Sequence, residues 1–101
     1  MSEPEPTVVH AYGLLDAGSA PPPWDGGIDG AQVFVVRVGR VAALVSRLSA
    51  ERYGAAAWQA HAEDPQWLER VAREHHAVLQ TVVATSDVLP LRLPGIYDDV
   101  S

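Results

Sequence analysis

Two adjacent histidines, His75 and His76, stand inside the apolar-rich stretch EDPQWLERVAREHHAVLQTVV from Glu63 to Val83. With His61, Glu63, Asp64 and Glu74 close by in sequence, they raise two chemistries, metal ligation and acid–base catalysis. The spacing argues against both. Helical metal pairs stand three or four residues apart, as in HExxH, so that both rings leave one face. On a wheel of about 100° per residue, His75 falls near the middle of an apolar side made by Trp67, Leu68, Val71, Ala72, Val78, Leu79, Val82 and Val83. His76 falls at its border, beside Glu69 and Gln80. His75 is therefore expected in the core with Trp67 and Leu79, hydrogen-bonded to a backbone carbonyl. A small metal-dependent or acid–base enzyme using His61, His75 and His76 is the alternative, and it requires the segment before the helix to fold back.

Other constellations are weaker. Ser46, Ser49 and Ser86 lack a GxSxG elbow. Asp98 and Asp99, adjacent acids, read as solvated. DGGIDG has glycines without GxGxxG spacing or a strand-to-helix context, so no dinucleotide is expected. The chain has no cysteine, which removes thiolate chemistry and Cys-ligated zinc. No cofactor or metal is implied. Trp24, Tyr53 and Trp58 lie in loop or weakly helical segments, where they either cover the edges of the small core or form an exposed aromatic surface for a partner.

The chain has 101 residues, the size of one domain with one core. Its net charge is -6, and its seven basic residues are arginines spread singly along the sequence. No basic stripe exists to release counterions from a phosphate backbone, so a nucleic-acid role is not expected. The start MSEPEPTVV has acid and proline where a signal peptide has a basic and then an apolar region. No segment approaches the ~20 apolar residues of a membrane span. A cytoplasmic protein is the expectation.

Around the histidines the chain divides as follows. Residues 1–6 form a loose polar tail, and 7–101 one domain. TVVHAYGLL, Thr7 to Leu15, is β-branched and aromatic and predicts a strand, with Val8, His10, Tyr12 and Leu14 on one face and Val9, Ala11, Gly13 and Leu15 on the other. Both faces are mostly apolar, which predicts a central strand. Asp16 to Gly30 has the Pro, Gly and Asp density of a long irregular loop. Gln32 to Val38 and Val41 to Leu48 flank Gly39 and Arg40, the signature of a hairpin with a type II′ turn. Ser49 can cap a short helix that Gly54 interrupts. Asp64 followed by Pro65 is a stronger start signal, for a helix running to about Thr85. Strand character resumes at Val88, where Pro90 predicts an edge or kinked strand.

This order gives an α+β two-layer sandwich with helices on one face of a single sheet. It resembles a ferredoxin-like unit in which the loop Asp16 to Gly30 replaces the first crossover helix, so that the first and last strands lie side by side.

HAYGLL, GRVAALVSRLS, DPQWLERVAREHHAVLQTVV and VLPLRLPGIYDD follow one another in the order and spacing of the gas vesicle protein F/L family, which the chain resembles from about Val8 to Asp99. Its Leu-Pro-Leu-Arg motif matches Leu89, Pro90, Leu91 and Arg92, and its helical histidine matches His75. After Arg92 the family continues Phe-Gly-Thr, whereas this chain has Leu93, Pro94 and Gly95. The resemblance implies the N-terminal domain of a longer two-domain protein. It implies a gas-vesicle-associated assembly accessory, not an enzyme, whose partners are the small hydrophobic shell protein, gas vesicle protein A, and other accessory proteins. Arg92 would be a charge anchor for a partner or a core-edge residue, and Pro90 a core residue of the motif. The partner surface would be the sheet edge, by strand addition, or the aromatics Trp24, Tyr53 and Trp58. A regulatory ligand-binding domain that dimerises through its sheet, with Asp16 to Gly30 as lid, is the remaining alternative.

Overall fold

The computed structural model describes residues 6–91 and the backbone of residues 96–98. Strand β1 (Thr7–Asp16) is followed by a 3-10 turn, Ala17–Ser19, and by the two-residue strand β2 (Trp24–Asp25). A second 3-10 turn, Ile28–Gly30, leads into the hairpin of β3 (Gln32–Val38) and β4 (Val41–Ser49). Helices α1 (Ala50–Tyr53), α2 (Ala55–Ala60) and α3 (Pro65–Val83) come next, then the short strands β5 (Val88–Pro90) and β6 (Ile96–Asp98). The segment expected as irregular loop thus contains a strand, because Trp24 and Asp25 find the start of β3 to pair with.

All strand pairings are antiparallel, in the order β2-β3-β4-β1-β5, with β6 also on β1. The apolar two-sided strand β1 is central, between β4 and the last strands. In the hairpin turn Gly39 takes φ 62° while Arg40 stays at negative φ, the sign pattern of a II′ turn. Ser49 caps α1 through the Arg52 amide, and Asp64 caps α3 through the amides of Gln66 and Trp67.

One register detail corrects the strand reading. A bulge between Ala11 and Gly13 interrupts the β1–β4 ladder and reverses the alternation beyond it. Leu15 therefore joins Val8, His10 and Tyr12 on the helix side, and Leu14 stands opposite Ala43 on the other side. Gly13 sits where a Cβ would lie 2.8 Å from Val88 Cγ2 and 3.1 Å from Leu79 Cδ2, so its bare backbone lets β5 and α3 close on the strand.

Helix α3 buries Val71, His75, Val78 and Val82, one stripe at helical spacing. Trp67 and Leu79 pack at its margin. Ala72 and Val83, placed on the apolar side by the wheel, are exposed; the sheet accepts a narrower stripe than the composition offers. Pro90, expected in the core, is exposed on β5. Principal extents of 37 × 36 × 20 Å leave room for one sheet and one helical layer, since packed layers stand about 10 Å apart. No helix among the described residues is long and apolar enough to cross a membrane.

Candidate functional site

The central strand and the long helix meet through two histidines. His10 is 1% exposed and His75 is 6% exposed, and His10 Nε2 lies 2.8 Å from His75 Nδ1. His75 Nε2 lies 3.1 Å from the Leu91 carbonyl oxygen. A carbonyl only accepts, so His75 carries its proton on Nε2 and accepts at Nδ1 from the His10 Nε2–H. Two neutral rings satisfy this pattern, and the titration of both favours them. Burial, followed by the repulsion of His75, lowers the His10 pKa to about 3. Burial is also the main cause lowering His75, against the Leu91 hydrogen bond, which raises it, and with His76, which lowers it further. Such weak bases are poorly matched to proton transfer near neutral pH. What the pair does is fasten α3 to β1 and to the chain after β5.

Tyr12, two residues from His10 on the same face, extends the network. Its ring stands edge-on to His10 at 4.8 Å between centroids. Its hydroxyl donates to Ser46 Oγ and accepts from the Ile28 amide, while Ser46 donates to the Gln32 carbonyl. Burial pushes the phenol above its ordinary pKa, so it remains a donor. Gly27 completes the junction: a Cβ there would lie 2.6 Å from Tyr12 Oη and 2.7 Å from Ser46 Oγ.

The remaining histidines are not gathered here. His61 stacks on Trp67 at 4.7 Å between centroids and faces Asp64 at 3.8 Å. His76 is exposed beside a groove that Leu79, Gln80, Val83, Val88 and Pro90 also line. Among the described residues, no group of three or more His, Cys, Asp or Glu side chains is placed to hold a metal.

The burial of the aromatics fits their reading as covers of the core edge. Tyr53 is 2% exposed, its hydroxyl accepting from Arg70, which also pairs with Glu74 at 3.0 Å. Glu74 in turn accepts from the Asp29 amide, and Asp29 pairs with Arg52 at 2.7 Å. Trp58 and Trp24 are half-buried against the core, and Trp58 packs edge-on to Trp67. The short helices turn back onto α3, which draws Tyr53 and Trp58 inward. Arg92 lies outside the described residues.

The broad exposed apolar surface is elsewhere, on the sheet face away from the helices. Val36, Val38 and Val41 are 45%, 75% and 49% exposed, and Leu89 is 63% exposed. By strand alternation they share that face with the half-buried Leu14, Phe34 and Ala43 and with Ala11 and Val45, which are buried at 4% and 3% exposure, so the open part lies toward the hairpin turn. Sequence reasoning missed this face, although a signal was present: β3 and β4 are apolar on both sides, as β1 is.

A comparison with protein families matches residues 8–101 to gas vesicle synthesis protein GvpL/GvpF. The chain belongs to the GvpL/GvpF family. The match takes in β1 with His10 and Tyr12, the hairpin, and α3 with His75, so the histidine junction lies wholly inside the family region. Comparisons with curated proteins and with solved structures give no match. This GvpL/GvpF member therefore pairs a tightly fastened helical side with a sheet face that exposes apolar residues toward its hairpin turn.

Proposed function

We propose that this family member is an assembly accessory that binds the small hydrophobic shell protein, gas vesicle protein A, and works with other accessory proteins while the vesicle is nucleated, in the cytoplasm and at the vesicle itself. The uncovered valine face of the β3–β4 hairpin carries the reading. An apolar subunit awaiting assembly needs its surface covered, and a soluble partner with an exposed apolar patch can cover it reversibly. The fold supports a rigid platform for that task. Its strand order, with β1 between the hairpin and the last strands, is the one expected of a ferredoxin-like unit whose first crossover helix is replaced, and residues 7–101 act as one domain in this reading.

The binding surface moves accordingly, from Trp24, Tyr53 and Trp58 to Val36, Val38 and Val41. Arg92 is kept as a charge anchor for the partner. Co-expression with the shell protein tests the proposal: the shell protein should stay soluble and co-purify with the wild-type chain. The double variant Val38→Lys, Val41→Lys should stay folded and lose most of the capture. Capture that survives this change in a folded protein would remove the valine face from the mechanism, and absence of capture by the wild type would remove the function.

A further inference from the structure

Beyond Val33 no strand among the described residues pairs with the outer edge of β3. β2 pairs with β3 only through Trp24 with Val33 and Asp25 with Gln32. The residues that would carry β2 onward beside Phe34, Val35 and Val36 are Pro23, Pro22 and Pro21, and proline has no N–H to give a ladder. A cleft of ≈ 450 Å³ lies there instead, with the three prolines on one wall and Phe34, Val35 and Arg37 on the other.

The hairpin register decides which backbone groups face this cleft. Val38 and Val41 close a two-residue turn, so Val38, Val36 and Phe34 direct their N–H and C=O groups to β4. Val35 and Arg37 direct theirs the other way. The same alternation explains why the Ala31 carbonyl accepts from the Gly26 and Gly27 amides on the outer side. The hairpin itself carries charge of one sign, with Asp25 of β2 standing only at the Gln32 end of the edge. From Ala31 to Ala50 the chain has three of its seven arginines and none of its thirteen acidic residues. Arg37 and Arg40 are exposed, and the ion pairs among the described residues use other side chains.

We infer that the cleft takes an extended segment of a partner protein, alternating apolar and acidic residues, which adds to β3 as a further strand. Its backbone meets the free groups of Val35 and Arg37. Its apolar residues continue the face of Val36 and Val38, and its acids, on the opposite side of the strand, meet Arg37. A second copy of this chain fits less well, because paired β3 edges would bring the same arginines together. The inference rests on the proposed assembly role and specifies the segment recognised.

The test uses a short synthetic peptide alternating valine and glutamate, its valine–lysine counterpart, and the ¹⁵N-labelled chain. The glutamate peptide should shift the amide signals of Val35 and Arg37 and slow their hydrogen exchange, and the lysine peptide should not. Arg37→Ala removes the charge, and Arg37→Pro removes the charge and the edge N–H. The proline variant should bind about tenfold more weakly than the alanine variant, the size of one lost hydrogen bond. Equal response to the two peptides, equal binding by the two variants, or unchanged exchange at Val35 and Arg37 would overturn the inference; the exchange measurement decides even if Arg37→Pro does not fold. Capture of the shell protein without a peptide response would leave the assembly role standing and this edge excluded. A peptide response without capture would do the reverse.

Discussion

His10 Nε2 stands 2.8 Å from His75 Nδ1, and this hydrogen bond joins the central strand to the long helix across sixty-five positions of the chain. The consequence is a pH dependence of stability with a definite sign. In the folded protein His10 is lowered to about 3 and His75 is lowered as well, whereas in the unfolded chain both titrate near ~6.5. Between those values the unfolded state binds more protons, so the stability present above about pH 6.5 is lost as pH falls toward 3. For His10 the loss is on the order of a few kcal/mol. Carboxylate titration overlaps the acid end of this window, which makes a difference measurement the informative one. His10→Gln keeps a donor for His75 but does not titrate, and its melting temperature should fall less steeply from pH 6.5 to 4 than that of the wild type. Parallel melting curves across that range would show that His10 is not buried neutral.

Gly27→Ala should destabilise the protein by roughly 2–4 kcal/mol. The backbone there is at φ -82°, which alanine adopts readily, so the cost comes from crowding. The added Cβ would lie 2.6 Å from Tyr12 Oη, 2.7 Å from Ser46 Oγ and 2.9 Å from the Ala31 oxygen, and two of these belong to a hydrogen-bonded network with little room to shift. Urea denaturation measures it. A midpoint within error of the wild type would mean that the turn Ile28–Gly30 does not sit on Tyr12.

Much of this fold is legible in the sequence. The hairpin followed from Gly39 and Arg40, the start of α3 from Asp64 and Pro65, and the burial of His75 from its place on the helical wheel; each is set by neighbours in sequence. The bulge at Ala11 to Gly13 could not be read this way, because it arises where β1 must match β4 on one side and β5 on the other. His10 was assigned to the correct face without a partner, since nothing in sequence ties it to a helix sixty-five residues away. The exposure of Tyr53 and Trp58 is left open by the weak patterns of their short helices, and tertiary packing against Trp67 and Arg70 decides it. The exposed valines of the hairpin are not legible in this way, because alternation separates the two faces of a strand without saying which of them another layer covers.

Tyr12→Phe isolates one buried acceptor. The Ile28 amide donates to Tyr12 Oη at 3.0 Å, and phenylalanine would leave that buried N–H without a partner while Ser46 keeps its bond to Gln32. A loss of about 1–3 kcal/mol is expected. Hydrogen exchange at Ile28 should accelerate in the variant. Unchanged protection of that amide would indicate that the loop is held by something other than the phenol.

Asp64 offers a test of how α3, and with it His75, is positioned. Its carboxylate accepts from the amides of Gln66 and Trp67 at 3.2 and 3.3 Å, satisfying two donors that the helix start would otherwise leave free. It also faces His61 at 3.8 Å, with both side chains more than two-fifths exposed, a geometry in which an ion pair contributes little. The two roles separate by substitution. Asp64→Ala removes both and should cost about 1 kcal/mol. Asp64→Asn keeps an oxygen for the amides and discards the charge, so it should stay within a few tenths of a kcal/mol of the wild type. If instead Asn costs as much as Ala in chemical denaturation, the charge and not the cap holds this end of the helix, and His61 with the helix dipole becomes the reason.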